Sequence, residues 1–254
     1  MQNREGMDRL LEIMVSLREK CPWDKRQTID SLRYLTIEEV YELSDAILDN
    51  DFSEIKKELG DMLLHIVFYA QIGKEKGVFD FADVVEEICN KLIIRHPHVF
   101  GDARVDGAEE VKANWEKIKL KEGRKSVLEG VPNSLPAMVK AYRIQEKVRG
   151  VNFDWENSRQ VLEKVKEEIE EFEQEAQHAD SRKMESEFGD ILFSLINYAR
   201  FHDINPEDAL EKTNRKFIER FKKMEKLIEE DGKVLTEMSL EEMDSYWNKI
   251  KKSL

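Results

Sequence analysis

Apolar residues recur every three or four positions along most of the chain, which is the spacing of amphipathic α-helices. The first such stripe joins Leu10, Leu11, Met14 and Leu17. The same spacing predicts helices that contain residues 32–47, 55–67 and 84–93, and further helices at about 108–121, 136–148, 158–177, 182–202, 206–230 and 239–252. No stretch shows the strict alternation of apolar and polar residues that is typical of a β-strand. The pattern therefore predicts an all-α protein.

Capping and breaking residues set several boundaries of these helices. Asp80 precedes one apolar stripe as an N-cap, Pro97 ends that helix, and Asn205-Pro206 is a cap followed by proline at the first helical position. Residues 123–135 contain glycine and proline at Gly123, Gly130 and Pro132, and form the predicted linker. We therefore expect two helical-bundle domains, at 1–122 and 136–254.

Composition and charge narrow the classes of protein. The 254 residues include 41 Lys and Arg and 54 Asp and Glu, for a net charge of −13, with 11 Gly and 5 Pro. This charge disfavours generic binding to nucleic-acid polymers or to anionic membranes. Two cysteines encode no disulfide framework, and the chain has no signal-peptide core, membrane span, GxGxxG or P-loop motif. We expect a cytoplasmic protein that needs a cation to handle a polyanion such as a nucleotide.

An internal repeat is the most informative feature of the chain. Glu38-Glu39-Val40-Tyr41-Glu42 recurs 129 residues later as Glu167-Glu168-Ile169-Glu170-Glu171, and Glu58-Leu59-Gly60-Asp61 recurs at the same offset as Glu187-Phe188-Gly189-Asp190. Later blocks around Lys91 and Trp115 recur in the same order at similar offsets. Matches in order at one period indicate a duplicated unit, so we predict tandem repeated domains.

The repeated acids are spaced to converge on a helical hairpin. With a turn at Asn50-Asp51 and Ser53 capping the second helix, Glu42 and Glu58 lie at one height, and Glu39 and Asp61 lie about one turn higher. Each pair on a helix is spaced i, i+3 and therefore shares one face. The second copy has the same symmetry about residue 179. The spacing therefore predicts a further site made by Glu168, Glu171, Glu187 and Asp190.

Four converging carboxylates repel one another unless a positive charge lies between them. Oxygen ligands without His or Cys favour a hard cation, Mg²⁺ or as a substitute Mn²⁺. The alternative is a solvated acidic face, which the duplicated register disfavours. Gly60 and Gly189 recur between the two acids in each copy at a cost to helix stability. We attribute them to close helix approach or to a backbone that lies near a ligand.

The carboxylate pattern and its second copy resemble the signature of the MazG-type all-α nucleoside triphosphate pyrophosphohydrolases. Four further segments are similar to the two-domain bacterial members of that family: Cys21-Pro22-Trp23-Asp24, Arg95-His96-Pro97-His98-Val99-Phe100-Gly101, Gly130-Val131-Pro132 and Phe153-Asp154-Trp155. The similarity extends from about residue 5 to the C-terminus. It implies hydrolysis of nucleoside triphosphates to nucleoside monophosphate and pyrophosphate, dependence on Mg²⁺, and homodimers built from helical bundles.

Other residues fit this chemistry in the two copies. Glu38 or Glu167, outside the inner ligand set, is placed to position the attacking water. The candidates for binding the substrate are Lys91, Arg95, Trp115 and Lys119 in the first copy, and Lys216, Arg220, Trp247 and Lys251 in the second. The alternatives are ordinary surface charge for the cations and core packing for the tryptophans.

Two other functions remain open at this stage. A di-iron carboxylate bundle requires Glu-x-x-His pairs, of which the chain has one, Glu175 with His178, at a turn. A non-catalytic helical scaffold would use the acids for solubility and would not bind Mg²⁺ tightly. Since both copies keep every carboxylate, we expect both to bind metal. The family resemblance favours the second copy for turnover.

Overall fold

The computed structural model describes residues 2–107, 110–111, 114–115, 118–119, 122–123, 125–178 and 180–252. Within those residues the chain forms ten α-helices, two short 3₁₀ turns and no β-strand, which confirms the predicted all-α fold. The helices are α1 (Gln2–Lys20), α2 (Ile29–Leu48), α3 (Phe52–Glu75), α4 (Phe81–Arg95), α5 (Pro97–Phe100), α6 (Ala137–Arg149), α7 (Ser158–His178), α8 (Ser181–Phe201), α9 (Pro206–Glu230) and α10 (Leu240–Lys252). No helix in the described ranges is long and apolar enough to cross a membrane.

The chain divides into two compact units, Met1–Val105 and Asp106–Leu254. Helices α1 to α5 belong to the first unit, and α6 to α10 belong to the second. This division groups the residues predicted as a linker, 123–135, with the second unit. The helix predicted at about 108–121 lies largely outside the described residues.

The central hairpin of the first unit consists of α2 and α3. Thr28 and Ser31 form a capping box at the start of α2. At the turn, Asn50 adopts a positive φ of 54°, and the Asp51 side chain accepts hydrogen bonds from the backbone N–H groups of Ser53 and Glu54. The prediction that Ser53 caps α3 is therefore wrong. Asp51 is the cap, because it directly precedes the helix and its carboxylate accepts two of the first N–H groups of α3. Ser53 already lies inside the helix.

The corresponding hairpin of the second unit consists of α7 and α8. The Asp180 side chain caps α8 by accepting the N–H groups of Arg182 and Lys183. Ala179, in the predicted turn, lies outside the described residues. Val161, Val165 and Ile191 are buried along these helices, so apolar packing holds the hairpin closed.

Each unit has its own apolar core. In the first, Met14, Leu32, Val67, Phe68 and Ile72 pack together, which joins α1 to the hairpin. In the second, Met224, Ile228 and Tyr246 join α9 to α10. The first core therefore includes the hairpin that carries the acids, whereas the second joins the two helices that follow its hairpin.

Candidate metal centres

Three of the four predicted carboxylates converge in the first unit. Glu39 lies on α2, Glu58 and Asp61 lie on α3, and one oxygen of each falls within 4.8 Å of the others. Glu42 is outside this triplet but interacts electrostatically with Glu58. The predicted convergence across the hairpin turn is thus present for these side chains.

Three carboxylates also converge in the second unit, in a different combination. Glu168 and Glu171 on α7 and Glu187 on α8 have oxygens within 4.8 Å of one another. Asp190 is exposed and lies outside this triplet. The two copies therefore repeat the site but differ in which acid is left at the edge.

One carboxylate in each site is deeply buried. Glu58 is 3% exposed and Glu168 is 6% exposed, and these residues occupy different positions of the repeat. In each case a lysine amino group donates to the buried acid. Lys57 donates to Glu58 at 2.9 Å, and Lys164 Nζ lies 2.8 Å from Glu168. The hydrogen bond to Glu58 raises the pKa of Lys57, and hydrogen bonds to Glu167 and then to Glu168 raise the pKa of Lys164, since each stabilises the charged amino group.

The clustered acids perturb one another. Burial, and next the charge of Asp61, raises the pKa of the Glu39 carboxyl above its usual value. The pKa of Glu42 is raised by burial and then by Glu58. In the second unit, burial and then Glu168 raise the pKa of Glu171. Repulsion among acids is the electrostatic condition that a bound cation relieves.

The donor set fits a hard cation. Glu58 Oε1 accepts from Lys57, but Glu58 Oε2 is buried and has no hydrogen-bond partner among the described residues. A buried carboxylate oxygen without a donor is costly, and a cation at that point would satisfy it. Because all the converging atoms are carboxylate oxygens, the set suits Mg²⁺ or Mn²⁺ better than zinc or copper.

The repeated glycines have no packing role within either unit. A Cβ atom added at Gly60 or at Gly189 would meet no atom within 4 Å among the described residues. Close helix approach, one of the two reasons predicted from the sequence, is therefore not made by the described residues of this chain. Approach by a helix of a second chain and approach by a ligand both stay predictions. Gly73 differs, because its added Cβ would lie 2.7 Å from the Phe79 ring.

The other predicted site residues lie outside the two carboxylate triplets. Glu38 and Glu167 are exposed, and Glu167 accepts a hydrogen bond from Lys164 at 2.9 Å. Trp247 packs against Phe217 with ring centroids 5.1 Å apart, as the core-packing alternative expects. The remaining candidates lie outside the hairpins: Lys91 and Arg95 on α4, Trp115 and the buried Lys119 in the partly described segment, Lys216 and Arg220 on α9, and Lys251 on α10. Their role in substrate binding stays a prediction.

Sequence reasoning missed two features of these sites. The contact of Lys164 with Glu168 follows the i, i+4 spacing of helical ion pairs and was accessible from the sequence. In the first unit, Thr36 Oγ1 lies 2.6 Å from His65 Nδ1 and 2.7 Å from the Tyr69 hydroxyl. This three-residue network crosses the hairpin, and no spacing rule predicts it. Burial lowers the pKa of His65.

The di-iron alternative finds no support in the side chains it requires. Glu175 accepts a hydrogen bond from Lys183 at 3.2 Å. His178 Nδ1 lies 2.7 Å from the carbonyl oxygen of Gln174. Both residues are therefore engaged at the turn by other groups.

Comparison of the sequence with known protein families finds one domain twice, in the two segments that contain the repeated acids. The model of the MazG nucleotide pyrophosphohydrolase domain matches residues 27–100 and 156–225. A Thermotoga maritima protein named nucleoside triphosphate pyrophosphohydrolase/pyrophosphatase MazG is 47% identical over 249 residues, which cover 96% of this chain and 95% of the relative. A nucleoside triphosphate pyrophosphohydrolase of Escherichia coli K12 is 44% identical over 255 residues, covering 97% of each chain.

Among solved structures, a mazG-related protein from Thermotoga maritima is 27% identical and aligns with a TM-score of 0.40, over 44% of this chain and 98% of that one. The family assignment rests on the domain model and on the relatives that match nearly end to end. Both matched segments contain one complete set of the repeated acids. The chain therefore belongs to the MazG nucleotide pyrophosphohydrolase family and carries its domain twice.

Proposed function

We propose that this protein is a Mg²⁺-dependent nucleoside triphosphate pyrophosphohydrolase that produces nucleoside monophosphate and pyrophosphate. The observation that carries the proposal is the convergence of three carboxylate oxygens within 4.8 Å in each unit. The names of the relatives in Thermotoga maritima and Escherichia coli support the same activity. A scaffold protein has no need for two such sites at matching positions of a repeat.

The cation would be held by the acids of each hairpin. In the first unit the ligands are Glu39, Glu58 and Asp61, with Glu42 at the edge; in the second they are Glu168, Glu171 and Glu187, with Asp190 at the edge. Bound Mg²⁺ offsets phosphate charge and helps to orient a water molecule for in-line attack. A cation held by these acids would share with Lys57 and Lys164 the neutralisation of the buried carboxylates.

The remaining steps fall to side chains around the acids. We assign Glu167 to positioning the attacking water, because it lies exposed beside the buried Glu168. Lys216 and Arg220 on α9 are assigned to phosphate oxygens. Attack at the α-phosphorus expels pyrophosphate, a leaving group that chelates Mg²⁺ well. We assign turnover mainly to the second unit.

The experiment that tests this function compares matched glutamates on α7. Glu171→Gln removes one ligand and one repelling charge, so the variant should stay folded and require more Mg²⁺ for hydrolysis. Glu173→Gln, exposed on the same helix, is the control and should behave as the wild type. Full hydrolysis by the Glu171 variant at low Mg²⁺ would show that this acid is not a ligand.

The same substitution in the other copy tests which of the two units hydrolyses the substrate. Glu42→Gln in the first unit corresponds to Glu171→Gln in the second. We expect the Glu42 variant to retain most of the steady-state rate at saturating substrate. If it loses as much activity as the Glu171 variant, turnover is shared between the units.

A further inference from the structure

A polar network joins α2 to α3 in the first unit, farther from the hairpin turn than the acids. Thr36 on α2 contacts two side chains of α3. Its Oγ1 lies 2.6 Å from His65 Nδ1 and 2.7 Å from the Tyr69 hydroxyl. His65 is only 7% exposed, so its contact with Thr36 is largely shielded from water. Hydrogen bonds in such surroundings are stronger than bonds at the surface, and these two link the helices directly.

The single proton of the Thr36 hydroxyl fixes the direction of these bonds. Thr36 Oγ1 donates it to the carbonyl oxygen of Leu32, one turn earlier on α2, at 3.0 Å. A hydroxyl has one proton to donate and can accept two hydrogen bonds. His65 Nδ1–H and the Tyr69 hydroxyl therefore both donate to Thr36. Moving α2 away from α3 would leave both donors without this acceptor, which is costly in a buried place.

The network lies about one helical turn from the outer pair of acids. Thr36 precedes Glu39 by three residues on α2. His65 follows Asp61 by four residues on α3. At 1.5 Å per residue these separations are about 4.5 and 6 Å along the helix axes. Glu39 and Asp61 have oxygens within 4.8 Å of each other, so their charges repel across the hairpin. Hydrogen bonds one turn away oppose the separation of the helices that this repulsion favours.

The second unit lacks this network at the matching positions. At the offset of 129, Val165 stands in place of Thr36 and Ser194 in place of His65. The third position keeps its tyrosine, as Tyr198. Val165 is buried and its side chain has no polar atom, so it cannot link α7 to α8 by a hydrogen bond. The central acceptor of the network is therefore missing from the second hairpin.

The two metal centres differ in the acids that converge, and the difference follows the network. In the first unit the triplet includes Asp61, one turn from His65, and leaves out Glu42, which is nearer the hairpin turn. In the second unit the triplet includes Glu171 and leaves out Asp190. The acids thus converge toward the network where it is present, and toward the hairpin turn where it is absent.

We infer that Thr36, His65 and Tyr69 are positioning residues of the first metal centre. They hold α2 against α3 and so keep Asp61 among the ligands of the cation, which they do not contact themselves. The second centre, without the network, uses Glu171 instead. The inference rests on the proposed function for the identity of the cation, but metal binding is measurable without turnover.

Binding of Mn²⁺, followed by the electron paramagnetic resonance signal of the free ion, tests this inference on the full chain. Glu171→Gln with Glu187→Gln removes two ligands of the second centre, so the remaining affinity belongs to the first. In that background Thr36→Val should weaken Mn²⁺ binding by about tenfold or more, which is typical of losing a residue that orients a ligand. His65→Asn, whose amide can replace the Nδ1–H donor, should keep most of the affinity, and His65→Ala should not.

A double-mutant cycle in the same background separates the positioning of Asp61 from a general loss of structure. Asp61→Asn removes the ligand, so adding Thr36→Val to it should weaken Mn²⁺ binding no further. Effects of the two substitutions that multiply would show that the network does not act through Asp61, and they overturn the inference. Equal Mn²⁺ affinity with and without Thr36→Val also overturns it. Tyr198→Phe, at the matching position of the second unit, is the control and should not change the affinity of the first centre.

The second centre reports whether a variant remains folded. With Glu39→Gln and Asp61→Asn in the first centre, Thr36→Val should leave the Mn²⁺ affinity of the second unchanged. If that affinity falls as well, the two His65 variants decide, and equal losses in both overturn the inference. A wild-type protein that binds no Mn²⁺ contradicts the proposed function and this inference together. Binding that does not depend on the network contradicts the inference alone.

Discussion

Glu58 and Glu168 are the buried acids of the two candidate metal centres, and burial makes their negative charge energetically costly. Each contacts one lysine, and each lies within 4.8 Å of two other acids. An ionised carboxylate is retained in such a place when a counter-charge accompanies it. In the metal-free protein that counter-charge is the lysine, and in the working enzyme we assign most of it to Mg²⁺.

The raised pKa values of Glu39, Glu42 and Glu171 predict how Mg²⁺ binding depends on pH. A carboxyl with a raised pKa takes up a proton at a higher pH than the same group in the unfolded chain. Without metal, these groups therefore stabilise the folded state as the pH falls through their raised pKa values. At low pH, protons compete with Mg²⁺ for these carboxylates. Mg²⁺ should therefore stabilise the folded state strongly at about pH 7.5 and weakly at about pH 5.5.

Thermal unfolding with Mg²⁺ and with chelator, at both pH values, measures this difference. Magnesium chloride should be matched by sodium chloride of equal ionic strength, which controls for screening. An equal effect of Mg²⁺ at both pH values would contradict binding by these acids.

Gly189→Ala should raise stability and lower activity. Alanine is favoured over glycine inside a helix by about 1 kcal/mol, and the added Cβ meets no neighbour within the described residues. Urea unfolding should therefore show a gain of up to about 1 kcal/mol. Nucleotide hydrolysis should fall if the open backbone receives a ligand. Gly60→Ala in the first unit is the matched variant and should give the stability gain with less loss of activity.

At the level of single residues, the sequence predicted the acidic positions because helical spacing and the duplicated register constrain them together. It did not predict which acid becomes buried in each copy, since that depends on the packing of α2 against α3 and of α7 against α8. The packing of Phe153 and Trp155 could not be predicted for a related reason. Both residues precede α7 in a turn, where apolar periodicity carries no information about the side chains that they contact.

At the level of elements, the helix boundaries followed closely from apolar spacing and from caps. The observed α9, Pro206–Glu230, has the predicted bounds, because Asn205 supplies the cap and proline tolerates the first helical position. The cap of α3 was assigned incorrectly to Ser53, because the turn contains several residues able to cap. The residue that acts as the cap is set by where α3 begins, which in turn depends on the positive φ of Asn50 in the turn. The sequence does not specify that backbone angle.

The hydrogen-bond network across the first hairpin predicts a cost for removing its central hydroxyl. Thr36→Val keeps the shape of the side chain but leaves His65 and Tyr69 without their shared partner. We expect a loss of about 1–3 kcal/mol in the free energy of unfolding, measured by urea denaturation.

Thr213→Val is the control for this prediction. Like the Thr36 hydroxyl, which donates to the carbonyl oxygen of Leu32, the Thr213 hydroxyl donates to a carbonyl oxygen one turn earlier, that of Ala209, at 3.0 Å. Thr213, however, is exposed on α9. Its replacement should cost almost nothing. Equal losses for the two variants would mean that the bond across the hairpin contributes no stability.

At the level of the whole molecule, both repeats expose apolar side chains at the same positions. Val40, Leu59 and Ile66 are exposed in the first unit, and Ile169, Phe188 and Leu195 are exposed at an offset of 129 in the second. Large apolar side chains that cluster at the surface are typical of interaction sites. The duplication thus repeats exposed apolar positions on the same hairpins as the acids.

We therefore predict that the protein is a homodimer in which these surfaces are covered. Light scattering at micromolar concentration should give twice the chain mass of 30.0 kDa. Leu195→Glu should lower that mass by placing a charge on the covered surface. Leu240→Glu, at an exposed apolar residue outside the matched set, should leave it unchanged. A wild-type mass of 30.0 kDa would contradict the dimer.

Hydrolysis in oxygen-18 water tests the central claim most directly, because it reports which bond the enzyme breaks. The full-length protein, a nucleoside triphosphate and Mg²⁺ are incubated briefly in labelled water, and the products are examined by mass spectrometry. Attack at the α-phosphorus places the label in the nucleoside monophosphate, with unlabelled pyrophosphate as the second product. Label confined to pyrophosphate would show attack at the β-phosphorus. Nucleoside diphosphate as the first product would contradict the account entirely.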